Sequence, residues 1–175
     1  MDHTVPRLNA LSFKPMLYMN FEDLLELTAH ELALESLSLA ETGVAALRVD
    51  DQLTVLLERS PFNHETVVVY APLGAVPASG REAFFEVLLE AQLFDSEIGP
   101  CTSFGLLRET GEVFLNRSYS LADASAEEFV EVLNQFVNWA VHWKQRLAGG
   151  GVSITMPESS CRTEMEPALG NFVRI

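Results

Sequence analysis

Residues 79–94, SGREAFFEVLLEAQLF, read as a short helix with too little polar surface. Ser79 with Glu82 three residues on forms a capping box at its start. Beyond Arg81 the charged residues Glu82, Glu86 and Glu90 recur at every fourth position, so they share one narrow stripe of the helix. The remainder is apolar on two sides: Phe84, Val87, Leu88 and Ala91 make one, Phe85, Leu89 and Leu93 the other. One apolar side is enough to seat a helix on a sheet. The second needs a cover, and two are open: the same helix of a second copy, which gives a symmetric homodimer, or the N-terminal arm LSFKPMLYM at 11–19 folded back within one chain. Termini are poorly ordered unless tied down, which favours the second copy. Each such side chain fully removed from water contributes roughly 1.5 to 3 kcal/mol.

Working outward, Asn20 stands as an N-cap before Glu22 and Asp23, whose negative charge suits a helix N-terminus; the spacing predicts a helix from residue 21 to the mid-thirties with Phe21, Leu24, Leu25, Thr28 and Leu32 inward. After Gly43 the period shortens to two. VAALRV and QLTVLLE flank Asp50-Asp51 as a hairpin, and TVVVYA at 66–71 is a third strand stopped by Pro72, Gly74 and Pro77. Past DSEIGP, the segments CTSFGLL and EVFLNRSYSL form a second hairpin about RETG, where Gly111 can take a positive φ. A long helix follows, capped by Ser125 or Asp123, with Phe129, Leu133, Phe136, Ala140, Trp143 and Leu147 recurring at spacings of four and three and with Lys144 and Arg146 near its end. The order αβββαββα predicts an α+β fold: an antiparallel sheet of about five strands packed with three helices.

The chain of 175 residues is long enough for one domain with a real core, and its hydrophobic fraction of 48% agrees. A net charge of −14 argues against unassisted binding to nucleic acid or to an anionic membrane and in favour of a basic or apolar partner. The charge is concentrated: residues 1–19 sum to +1 and 149–175 to −1, so the segment 20–148 carries all of it. That division predicts an N-terminal arm at 1–19, the working domain at 20–148 and a flexible tail at 149–175 that begins with GGG, within which VSIT at 152–155 has the composition of a brief strand. Cys101 and Cys161 make no disulfide framework, no apolar run reaches eighteen residues, and the N-terminus lacks the pattern of an export signal; the reading is a cytoplasmic protein without membrane insertion.

Signals for chemistry are few. Cys101 has acidic neighbours in Asp95 and Glu97, the wrong setting for a thiolate, and only tertiary approach would bring His64 or His142 to it. The four histidines show no metal-binding spacing, and no glycine pattern for phosphate occurs, so no metal and no cofactor are expected. The acidic pairs Glu22-Asp23, Asp50-Asp51 and Glu127-Glu128 are explained by helix starts and a turn. Trp139 and Trp143 read as core or rim of the last helix. NRS at 116–118 matches a glycosylation acceptor but lies within a predicted strand.

What remains is apolar surface. Leu53, Val55 and Leu57 point one way, Thr54 and Leu56 the other; Val67 and Val69 oppose Val68 and Tyr70. One face of the sheet meets the core. The other is either covered by the first helix or open to an extended peptide from another protein.

The element order, LGAVP after the third strand, FFEVLLEAQLF, the hairpin SFGLLRETGEVFLNRSYSL and the closing SAEEFVEVLNQFVNWAVHW together resemble the class I chaperones of bacterial type III secretion, the Tir chaperone family, over residues 20–148. Gln92 stands where that family commonly has Asn. The resemblance implies a cytoplasmic homodimer without enzymatic activity that holds the N-terminal chaperone-binding segment of a secreted effector in extended form. It further implies Phe84, Phe85, Leu88, Leu89 and Phe104 as dimer contacts and Leu24, Leu27, Leu53, Val55, Val67 and Val69 as the peptide-holding surface. Two other readings compete: a small-molecule-binding or hydrolytic domain with its site near Cys101 and His64, and a general interaction adaptor using the same dimer.

Overall fold

The structure is a computed structural model describing residues 19–50, 52–93, 97–122 and 124–149, with the backbone of 172–174. The arm at 1–18, Asp51, Asp123, Cys161 and the segment 152–155 lie outside the described residues. The elements run α1 (Phe21–Glu31), β1 (Val44–Val49), β2 (Leu53–Arg59), β3 (Thr66–Ala75), α2 (Arg81–Gln92), β4 (Thr102–Leu107), β5 (Glu112–Ser120), α3 (Ala126–Ala148) and β6 (Phe172–Arg174). The expected αβββαββα order holds, and a sixth strand is added at the end. All pairings are antiparallel, in the spatial order β4-β5-β3-β2-β1-β6.

The two hairpins form where alternation changes to turn residues. Val49 pairs with Leu53 across the first, and Asp50 takes φ 48°, a left-handed conformation that a short polar side chain tolerates. Gly111, at φ 71°, closes the second beside the Leu107–Glu112 pair. β3 does not stop at Pro72. It continues to Ala75, with Pro72 opposite Phe114 and a bulge between Pro72 and Gly74. The ladder to β2 ends at Leu56–Tyr70, so Pro72 meets no β2 acceptor that would want its missing N–H, and the bulge absorbs the misfit on the β5 side.

One face of the sheet carries the core. Leu47, Val55, Leu57, Val67, Val69 and Leu115 are fully buried there under α3 and α1, whose Phe129, Leu133, Phe136 and Ala140 and Phe21, Leu24 and Leu25 complete the layer. Ser125 caps α3 as expected, its hydroxyl accepting from the Glu128 N–H at 3.2 Å. Asn20 does not cap α1; its side-chain oxygen accepts instead from Arg59, which also pairs with Glu22 at 3.0 Å and lies over the Phe21 ring. This ties the start of α1 to the end of β2. α1 ends at Glu31, short of the mid-thirties, because Ala33 turns into the left-handed region at φ 53°.

α2 begins one residue later than the capping box implies. Gly80, in the left-handed conformation, occupies the N-cap position and accepts from the Phe84 N–H through its carbonyl, so Ser79 caps nothing.

Candidate functional site

Among the described residues, nothing encloses the second side of α2. Phe84, Val87, Leu88 and Ala91 are buried against the chain's own core, Phe85 is half-buried, and Leu89 and Leu93 stand 68% and 59% exposed. Leu106 and Leu107 of β4, the outermost strand at that end, are exposed beside them. Phe85, Leu88, Leu89, Gln92, Phe104 and Leu106 line a groove of about 260 Å³ between helix and strand. Gln92 holds the two together, its side-chain oxygen accepting from the Phe104 N–H at 2.9 Å. Of the five residues expected at a dimer contact, Leu89 is exposed, Phe85 and Phe104 are half-buried, and Phe84 and Leu88 are buried, supporting the surface from beneath. Sequence reasoning passed over Leu106, although its place on an edge strand two residues from Phe104 carries the signal.

The turn before β4 is anchored on α3. The Glu97 carbonyl accepts from Trp143 Nε1 at 2.8 Å, and its carboxylate pairs with Arg146 at 2.6 Å. The Arg146 guanidinium stacks over the Trp143 ring, 4.5 Å from its centroid. Gly99, at φ 79°, passes so close to Trp139 that a Cβ there would stand 2.8 Å from its ring nitrogen. Both tryptophans, read from sequence as core or rim, therefore contact the turn that leads into β4, at Glu97 and Gly99.

The six residues expected to hold a peptide differ sharply in exposure. Leu24, Leu53, Val55, Val67 and Val69 are all in the core at 2% exposure or less, and of the six residues only Leu27, at 47%, is exposed. The opposite face of the sheet is the less enclosed one: Val44, Ala46, Leu56, Val68, Tyr70 and Phe114 alternate with the core residues and are each half-buried. Tyr70 and Phe114 meet at 6.2 Å between ring centroids, and the Tyr70 hydroxyl donates to Glu58 at 3.1 Å. Partial burial and the neighbouring Glu58 carboxylate push the Tyr70 hydroxyl up to about 12. A second groove, of about 510 Å³, runs between α1 and the segment leading to β1; Leu25, Ala29 and Leu37 form its floor, and Glu22, Glu26 and Glu35 line it. Its mixture of apolar floor and acidic side suits an apolar segment that carries basic residues.

Cys101 is exposed and free, in a left-handed turn at φ 57°, and His64 is exposed in the β2–β3 turn. Neither lines either groove. Among the described residues no cluster of ligands is arranged for a metal, and no helix is long and apolar enough to cross a membrane.

Shallow apolar grooves, a half-buried sheet face and an exposed helix side are features suited to holding a polypeptide. The chain belongs to the Tir chaperone protein (CesT) family, whose profile matches residues 23–144. Among solved structures, it is similar to a chain of the ExsC–ExsE complex at 26% identity, with a TM-score of 0.59 over 73% of this chain and 96% of that one. It is also similar to the Yersinia pestis type III secretion chaperone SycH in complex with a stable fragment of YscM2 (24% identity, TM-score 0.55, 70% and 98% covered). A chain of the HopA1–SchA chaperone–effector complex shares the fold at 15% identity, with a TM-score of 0.57 over 70% of this chain and 91% of that one. Among proteins of curated function, none matches the sequence.

Proposed function

We propose that this protein is a type III secretion chaperone that pairs with a second copy through α2 and β4 and holds the N-terminal segment of a secreted effector in extended form. The observation that carries the reading is the apolar strip of Leu89, Leu93 and Leu106, exposed on a chain whose family is that of chaperones. Burying Leu89 and Leu93 against a twin contributes roughly 1.5 to 3 kcal/mol for each side chain fully covered. Phe85 and Phe104 widen the contact, and Phe84 and Leu88 back it. The client then lies on the surfaces left over: Leu27, the acidic groove beside α1 and the less enclosed sheet face. Since an extended client is ordered only on binding, affinity comes from wrapped area rather than from a deep pocket.

In this reading the protein catalyses nothing and works in the bacterial cytoplasm, with 1–19 and 149–175 as appendages of the domain at 20–148. The structural neighbours whose names record a chaperone bound to an effector or a fragment support it. The test is native mass spectrometry of the protein purified with whatever it binds in the cell, followed by limited proteolysis. A 2:1 complex whose client is protected over an N-terminal segment lacking a globular fold is expected. A client-free monomer at micromolar concentration contradicts the reading.

A further inference from the structure

The two ends of the sheet differ. At one, β4 is outermost. At the other, β1 is covered by β6, with Leu47 opposite Arg174, Arg48 opposite Val173 and Val49 opposite Phe172. An outer strand presents amides and carbonyls that an extended chain can continue, and in β4 the Phe104 N–H is already taken by Gln92. The chain leaves α3 close to the β1 edge, because Lys144 Nζ donates to the Gln52 carbonyl in the β1–β2 turn at 2.5 Å. The returning sequence, NFVRI at 171–175, is apolar with one base, in a chain of charge −14. Those are the properties that the acidic groove beside α1 asks of a client.

We propose that β6 is a built-in occupant of the β1 edge, and that an extended client strand of the same character, apolar with a basic residue, displaces it on binding. The displacement rests on the chaperone reading above; the occupancy does not, and it is measurable without a client.

The test uses the full chain carrying Phe172→Pro and Val173→Pro. Successive residues of a strand direct their N–H groups to opposite edges, so one of two adjacent prolines removes a donor facing β1 whatever the phase of the ladder. Hydrogen exchange at the outward amides of Leu47–Val49 is expected to quicken about tenfold, the scale of losing one or two net hydrogen bonds. The Val55 and Val69 amides keep their wild-type rates. A synthetic peptide of residues 164–175 restores slow exchange in the double variant and binds it about tenfold more tightly than it binds the wild-type chain. Unchanged exchange at Leu47–Val49, or equal peptide affinity for the two chains, overturns the proposal.

A second variant removes no bond. Arg48→Cys with Val173→Cys, in a chain also carrying Cys101→Ser and Cys161→Ser, places two thiols opposite one another in the ladder. Oxidation is expected to lock the strand in place and abolish binding of the same peptide, and reduction to restore it. A locked form that takes up the peptide as well as the reduced form also overturns the proposal. Failure of the chaperone reading looks different: no client is found by mass spectrometry while exchange at Leu47–Val49 still follows the prolines.

Discussion

The Phe104 ring meets Trp143 edge-on, with centroids 4.9 Å apart and planes at 77°. β4 and the end of α3 are thereby joined, and Phe104 serves two surfaces at once: it packs on Trp143 and it lines the groove beside α2. Phe104→Ala is expected to destabilise the fold by about 2 kcal/mol, below the range for a fully buried phenylalanine because the ring is only half-buried. Urea denaturation at fixed protein concentration measures it, and a loss under ~0.5 kcal/mol would show that the ring contact contributes little.

Leu89→Asp separates pairing from folding. Its side chain touches solvent in the single chain, so the substitution leaves the far-UV spectrum unchanged and costs a monomer less than about 0.5 kcal/mol. Light scattering is expected to show a dimer for the wild type and a monomer for the variant. A variant that remains dimeric removes α2 from the interface.

Gly99→Ala acts at a distance from any partner. The added methyl must fit a left-handed backbone at φ 79° and a Trp139 nitrogen 2.8 Å away, so a loss of about 1 to 3 kcal/mol is expected. Trp143→Phe leaves the Glu97 carbonyl without its donor and costs a similar amount. Thermal unfolding with both variants tests whether the turn after α2 is held as described.

Tyr70 gives the fold an alkaline dependence. Its hydroxyl is raised from 10.0 to about 12, chiefly by burial and then by Glu58, so the folded chain keeps a proton that the unfolded chain releases. That contribution is complete below pH 10 and is lost as pH rises toward about 12. Glu58→Gln should bring the tyrosine part of the way back, since burial remains. Ultraviolet titration of the phenolate reads both chains, and identical curves would refute the coupling.

Most of the fold was legible because its signals are local. Ser125 precedes α3, the stripe from Phe129 to Trp143 keeps helical spacing, and both hairpins sit between alternating runs. Ser79 misled because Gly80 beside it takes the cap position in a left-handed conformation that only the tertiary path of the loop demands. Pro72 misled because its tolerance depends on where the β2 ladder ends. At the site, the exposed side of α2 was visible in the pattern of Phe85, Leu89 and Leu93. Which sheet face is less enclosed was also written there: Thr54 and Glu58 share the parity of Leu56, whereas Leu53, Val55 and Leu57 are wholly apolar, which marks the latter set as core. The grip of Glu97 on Trp143 spans 46 positions and leaves no trace in any local window.

That grip has a geometric result. Glu97 holds α3 at Trp143 and Arg146 within a single turn of the helix, and its N–H donates to the Ala91 carbonyl at 3.4 Å, so one residue links the end of α2 to the end of α3. In a two-fold assembly any tilt at this fulcrum appears once in each half and is doubled between them. In the pairing proposed above, the spacing between the two subunits would then depend on a contact made inside each of them.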